Sequence, residues 1–197
     1  MRRIDLNEAA NFLREHDRFL ILMHGSPDGD TVGCGTALCG ALQQIGKLAR
    51  TACPDPLPKK FGYMFRELKE QEFEPETIVA VDVADTKLLY GMREVGEKTQ
   101  LCIDHHVSNT EYAERLLLAP EYAAAAELMF ELLSSMKEVR ITSSIADSLY
   151  TGIATDSGCF KYSNTSPQTH VYAAELIKPG ADIVPINYAM FDMKSQG

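Results

Sequence analysis

Phe19-Leu20-Ile21-Leu22-Met23 runs directly into His24-Gly25-Ser26-Pro27-Asp28-Gly29-Asp30. An apolar run of five residues has the length of a buried strand, and three potential metal ligands follow it within seven residues. Gly25, Pro27 and Gly29 punctuate them, residues that turn a backbone sharply and set its φ angles. A strand that ends in such a loop delivers its side chains to one rim of a sheet. The rest of the chain is therefore read for further ligands on the same rim.

Immediately downstream, residues 31–45 are rich in small side chains (Gly33, Cys34, Gly35, Ala37, Gly40, Ala41) among Leu38, Leu42 and Ile45, which predicts a helix packed close to the sheet. Gly46 is its stop. The strand–loop–helix order places a positive helix end beside carboxylates, an arrangement that suits phosphate. Residues 47–53 predict a second strand, 61–68 a short helix and 70–76 an acidic loop. Thr77-Ile78-Val79-Ala80-Val81-Asp82 repeats the opening pattern, an apolar strand ending in an aspartate, and Leu101-Cys102-Ile103-Asp104-His105-His106 repeats it again. Upstream, residues 6–16 have helical spacing behind an Asp5 cap.

Strands that alternate with helices and finish in Asp or His predict an α/β fold, a mainly parallel β-sheet flanked by helices in a doubly wound order. In such sheets ligands bind beyond the carboxyl ends of the strands. After Asn109 the chain reads as helical, with Leu116-Leu117-Leu118 as an edge strand and helices at 123–136, 141–155, 167–177 and 183–191. This gives a helical C-terminal portion.

No apolar run is long enough to span a membrane, and Met1-Arg2-Arg3 has no signal-peptide core behind it. Five cysteines without a CxxC pair suit reduced thiols in a cytoplasm and exclude a zinc ribbon. The net charge of -9 argues against a chain that grips long DNA or RNA by itself.

The candidate metal ligands are His24, Asp28, Asp30, Asp82, His105 and Asp156, the last in Thr155-Asp156-Ser157-Gly158. An aspartate at one strand end is by itself more often a cap or turn residue; agreement among four loops reverses that reading. An oxygen-rich, sulfur-free set suits Mn²⁺ first, with Mg²⁺ or Co²⁺ next. Six ligands exceed what one catalytic ion with open positions takes, and fit two divalent metal ions about 3.5–4 Å apart, as used in phosphoryl chemistry. A neighbouring imidazolium could then protonate the departing alkoxide. His16 and His170 lack such a setting. Asp85, Glu121 and Asp147 read as caps or solvent-facing residues, and Cys34 as a small packed residue.

These motifs resemble the DHH phosphoesterases. His24 through Asp30 with Gly33 looks like the first family motif, Asp82 in Val81-Asp82-Val83-Ala84-Asp85 the second, Asp104-His105-His106 the naming triplet, and residues 151–158 the fourth. Phe160 and Ser166-Pro167-Gln168-Thr169 look most like the bacterial nano-RNase/pAp-phosphatase branch, often described as exopolyphosphatase-related. The resemblance implies one metal on His24, Asp28 and Asp82 and a second on Asp30, Asp82, His105 and Asp156. His106 would contact the scissile phosphate as polarising group or acid, with Asp104 as the usual carboxylate partner of a ligating imidazole. The implied reaction is hydrolysis of short oligonucleotides or pAp through a metal-activated water, with polyphosphate or a cyclic dinucleotide as alternative substrates. Cys34 replaces a small hydroxyl residue, so one hydrogen bond to the loop is expected to be missing.

Residues 1–190 are expected to form the DHH domain and 191–197 to begin an interdomain linker. Family members carry a second domain with a glycine-rich, substrate-gripping segment, and no adjacent glycine pair occurs here. That expectation leaves open a metal-binding domain of weak activity, or a homodimer, as further readings.

Overall fold

The computed structural model describes residues 1–192. Its centre is one sheet of six parallel strands: β1 (Arg2–Arg3), β2 (Phe19–Leu22), β3 (Ala49–Ala52), β4 (Thr77–Val81), β5 (Leu101–Asp104) and β6 (Arg115–Leu118), in the spatial order β1-β6-β5-β4-β2-β3. Register pairs Leu22 with both Ala52 and Ala80, and Val81 with Ile103, so the strands end at one rim.

Alternation along the strands builds two unequal cores. Phe19, Ile21, Val79, Val81, Leu101 and Ile103 face a thick helical layer. That layer contains α1 (Leu6–Glu15), α2 (Gly29–Gln44), α4 (Ala125–Ser135), α5 (Ser143–Asp156) and α6 (Pro167–Ile177). Leu20, Leu22, Ala80, Cys102 and Leu116 face the other way, under the 3₁₀ turns Thr86–Met92 and the one-turn α3 (Arg93–Gly96). The sheet is thus covered on both faces, as parallel sheets are, but by very different thicknesses. α7 (Ile183–Asn187) and a π-helical turn, Tyr188–Asp192, close the described chain.

α2 and α5 lie against each other at glycines. A Cβ on Gly33 would stand 2.3 Å from the Ser148 carbonyl oxygen, and one on Gly152 would stand 2.6 Å from Asp30 Oδ1. The small-residue run therefore brings α2 close to another helix as well as to the sheet.

Three expectations need correction. Leu116–Leu118 is not at the sheet edge, because β1 pairs outside it, Arg2 with Arg115 and Arg3 with Leu116. Two exposed arginines carry no apolar pattern from which that strand could be read. The chain after Asn109 is extended and irregular until α4, since β6 must run parallel to β5 before α4 begins. The expected helix at 61–68 is a run of 3₁₀ turns, Lys59–Phe65, anchored by buried Phe61 and Met64. Of the expected linker, Phe191 and Asp192 belong to the π-helical turn, and 193–197 lie outside the described residues.

Strand order fixes where a ligand can sit. From β2 the chain moves outward to β3, then returns across β2 to β4 and continues to β5 and β6. The order reverses between β2 and β4, which opens a crevice beyond their carboxyl ends.

Candidate metal centre

Every sequence-predicted site residue lies on that rim. His24 and Asp28 follow β2, Asp30 is in the first turn of α2, and Asp82 follows β4. Asp104, His105 and His106 sit at the end of β5, and Asp156 ends α5. Thr31 ties the first two loops together: its hydroxyl accepts from the His24 N–H (3.3 Å) and donates to the Val81 carbonyl (3.1 Å).

The ligand atoms gather in overlapping clusters, His24–Asp28–Asp82, Asp30–His105–Asp156 and Asp82–His105–His106. His24 Nε2 stands 3.6 Å from Asp28 Oδ1 and 3.5 Å from Asp82 Oδ2. His105 Nε2 stands 3.3 Å from Asp156 Oδ2, 3.7 Å from Asp82 Oδ1 and 3.9 Å from Asp30 Oδ2. Asp82 lies between the two groups, one oxygen toward each histidine.

Both imidazoles are oriented by backbone. His24 Nδ1 is 2.7 Å from the Gly25 carbonyl oxygen, and His105 Nδ1 is 3.1 Å from that of Tyr122. A carbonyl can only accept, so each Nδ1 donates a proton and each Nε2 is turned toward the carboxylates, the usual setting of a ligating histidine. Asp104 does not hold a ring of this pair. Its Oδ1 accepts from the His105 backbone N–H (2.8 Å) and lies 2.8 Å from His106 Nδ1, while Asn109 Nδ2 donates to Oδ2 (2.6 Å). The carboxylate expected to orient a ligating imidazole orients His106 instead.

The two aspartates of the loop differ. Asp28 caps α2, Oδ1 accepting from the N–H groups of Asp30 and Thr31, so the helix end expected to face phosphate is already occupied. Asp30 is wholly buried, and its oxygens accept from Ala125 (2.6 Å) and Ala126 (2.9 Å). These are the first two N–H groups of α4, whose own cap residue, Ala124, has no side chain to offer. Cys34 Sγ also faces Asp30 Oδ1 at 3.6 Å, so the hydrogen bond expected to be missing is replaced by a weak thiol contact.

Electrostatically the site concentrates carboxylates. Asp28, Asp30, Asp82, Asp104 and Asp156 converge, and among the described residues histidine is their only ionic partner. Burial by itself would lower the His24 pKa, yet Asp28 and Asp82 outweigh it and hold the ring at about 11. His105 follows the same logic, burial opposed by Asp156, Asp30 and Asp82, and sits at about 10. Burial raises Asp82 to about 6 against the pull of His24. Burial and the charges of Asp82 and Asp156 push Asp30 well above the usual carboxylate range. Asp82 Oδ1 and His105 Nε2 are buried with no hydrogen-bond partner. Buried polar atoms are rarely left so, and a divalent ion would satisfy both at once. The donor set, carboxylate and imidazole without thiolate, fits a hard or borderline cation.

His106 is the most exposed of the three site histidines, its side chain 42% accessible against 14% for His24 and 12% for His105. Asp104 raises its pKa, so the ring holds a proton more readily than a free histidine. Asp82 has a φ of 56°, left-handed backbone at a non-glycine residue and a local strain of the kind found at functional sites. Sequence reading missed Asn109, Thr31 and the backbone groups of Gly25, Tyr122, Ala125 and Ala126. The first two carry a weak polar signal; the backbone groups carry none.

A family model described as the DHH family, N-terminal domain, matches residues 18–153. The chain is 32% identical over 171 residues to the bifunctional oligoribonuclease and PAP phosphatase NrnA of Thermus thermophilus, spanning 84% of this chain and 51% of that protein. An exopolyphosphatase-related protein from Bacteroides fragilis superposes with a TM-score of 0.85 at 22% identity, over 97% of this chain and 61% of the other. The exonuclease RecJ bound to manganese superposes with a TM-score of 0.55 at 16% identity, over 91% and 48%. The chain spans about half the length of the curated relative.

Proposed function

We propose a function from one premise: the chain belongs to the DHH family. On that premise it is a divalent-metal phosphoesterase domain that hydrolyses phosphodiester or terminal phosphomonoester bonds of short oligonucleotides or pAp. The observation that carries the reading is Asp82, a buried carboxylate with an orphaned oxygen, set between two ligand clusters. The name of the Thermus thermophilus relative supports a nucleotide substrate; the likeness to the exopolyphosphatase-related protein, at 22% identity, speaks for the fold alone. The oxygen-rich donor set of carboxylates and imidazoles supports Mn²⁺, with Mg²⁺ or Co²⁺ as substitutes.

His24, Asp28 and Asp82 would hold one ion, and Asp30, Asp82, His105 and Asp156 the other. Two such ions would lower the pKa of a shared water and offset charge on the phosphate oxygens. The chain's own part is orientation and proton supply. Gly25 and Tyr122 carbonyls keep both Nε2 lone pairs toward the carboxylates. Asp104, fixed by Asn109 and the His105 N–H, holds His106 through Nδ1 and favours its protonated form, so that its Nε2–H could be given to the departing oxygen. The five free cysteines support a reducing compartment, the cytoplasm, for this activity.

The test is release of inorganic phosphate from pAp, and of mononucleotide from a dinucleotide, with Mn²⁺, comparing wild type and His106→Ala. Metal-dependent turnover that His106→Ala loses is the expected result. Equal rates in both proteins, or turnover of polyphosphate alone, would overturn it.

A further inference from the structure

Tyr90 lies in the segment after β4, and its backbone has φ 43° and ψ −115°. That region is one tight turns ordinarily give to glycine, and the neighbouring Gly91 does not take it. The strain falls on the tyrosine, which persists only where its surroundings hold it. Those surroundings are a rigid mount. Leu89 is fully buried in the thin core, Asp85 caps the segment by accepting from the Lys87 N–H, and the Gly25 N–H donates to the Leu88 carbonyl at 2.8 Å.

The ring lies on the metal loop itself. A Cβ on Gly25 would stand 2.1 Å from Tyr90 Cε2 and 2.5 Å from Cδ2, so only glycine beside His24 admits the ring. Tyr90 is nevertheless 53% exposed. A large aromatic side chain is therefore held against the backbone next to His24, with much of its surface left to solvent. Sequence reading gave this residue no role, and the mechanism above does not use it.

We infer that Tyr90 is a stacking platform for the nucleobase of the substrate, and so a specificity residue for nucleotides over base-free phosphates; this rests on the nucleotide reading proposed above. A phosphate at the metal clusters leaves its sugar and base to reach the rim, and stacking accepts any base because every base has a π-face. A ring that merely shields the Gly25 backbone would be indifferent to a base.

The chain contains no tryptophan, so Tyr90→Trp places a single indole reporter at the site. With Mg²⁺ present, AMP should quench the indole saturably, whereas ribose 5-phosphate should compete for the site without quenching. By calorimetry wild type should prefer AMP to ribose 5-phosphate by about tenfold; Tyr90→Phe should keep the preference and Tyr90→Leu lose it. AMP that binds with a silent indole, or a preference unchanged in Tyr90→Leu, overturns the platform alone. AMP that fails to bind metal-loaded wild type overturns the nucleotide reading and the platform together.

Discussion

The two halves of the candidate metal centre meet at Asp82 but are built on different principles. One half, His24 and Asp28, belongs to a loop. Asp28 has a side chain 52% exposed and spends one oxygen on the N–H groups that follow it in sequence. The other half, Asp30 with His105 and Asp156, belongs to the framework. Asp30 is wholly buried and receives the start of α4, a contact spanning 95 residues of sequence. Two aspartates separated by one glycine thus have unlike duties: one caps its own helix, the other joins the sheet rim to the start of α4. The lesson is that ligand spacing alone does not reveal which ligand the fold depends on.

The largest expected effect separates holding from chemistry. His106→Ala should lower turnover by about 10²–10⁴-fold while leaving both halves able to bind metal, read as an unchanged metal-induced rise in melting temperature. If the rise vanishes as well, His106 belongs to one of the halves and the division drawn between them is wrong.

Next, Asp30→Ala should destabilise the metal-free protein by about 2–3 kcal/mol in urea titration, because it strands the Ala125 and Ala126 N–H groups inside the protein. Asp28→Ala, by contrast, should cost about 1 kcal/mol, the worth of an N-cap. Equal costs would erase the distinction between loop and framework.

The smallest effect is in pH. His24 at about 11 and His105 at about 10 both lie above the free-imidazole value of 6.5, so the metal-free protein carries both protons at neutral pH. The stability they contribute is fully present below about 6.5 and is lost as pH rises toward 10–11. Metal loading must displace these protons, so metal affinity runs the other way and strengthens with pH. Filling both halves at pH 7 should release at least the two imidazole protons, with any proton held on buried Asp30 in addition, measured by calorimetry in buffers of different ionisation enthalpy. Release of one would mean that a single half takes up metal.

Much of this was legible in the sequence because the signals were local. The buried strands at 19–22, 77–81 and 101–104 each combine an apolar run with Asp or His at the carboxyl end, and a parallel sheet must bring those ends together. β1 was not legible, because Arg2 and Arg3 are exposed, carry no apolar alternation and join the sheet through their backbone. The same holds for the site's supports. Tyr122 and Gly25 contribute carbonyls and Ala125 and Ala126 contribute N–H groups, backbone atoms that a side-chain pattern does not mark. Which ring Asp104 holds was not legible, because adjacent histidines are indistinguishable until the β5 terminus sets their directions.

The central claim, that Asp82 joins two metal sites, is tested most directly by melting curves with increasing Mn²⁺ for wild type and Asp82→Ala. Wild type should gain stability saturably, by about 2.7 kcal/mol at a hundredfold excess over the dissociation constant, and Asp82→Ala should gain none. An equal gain in the two proteins would contradict the account.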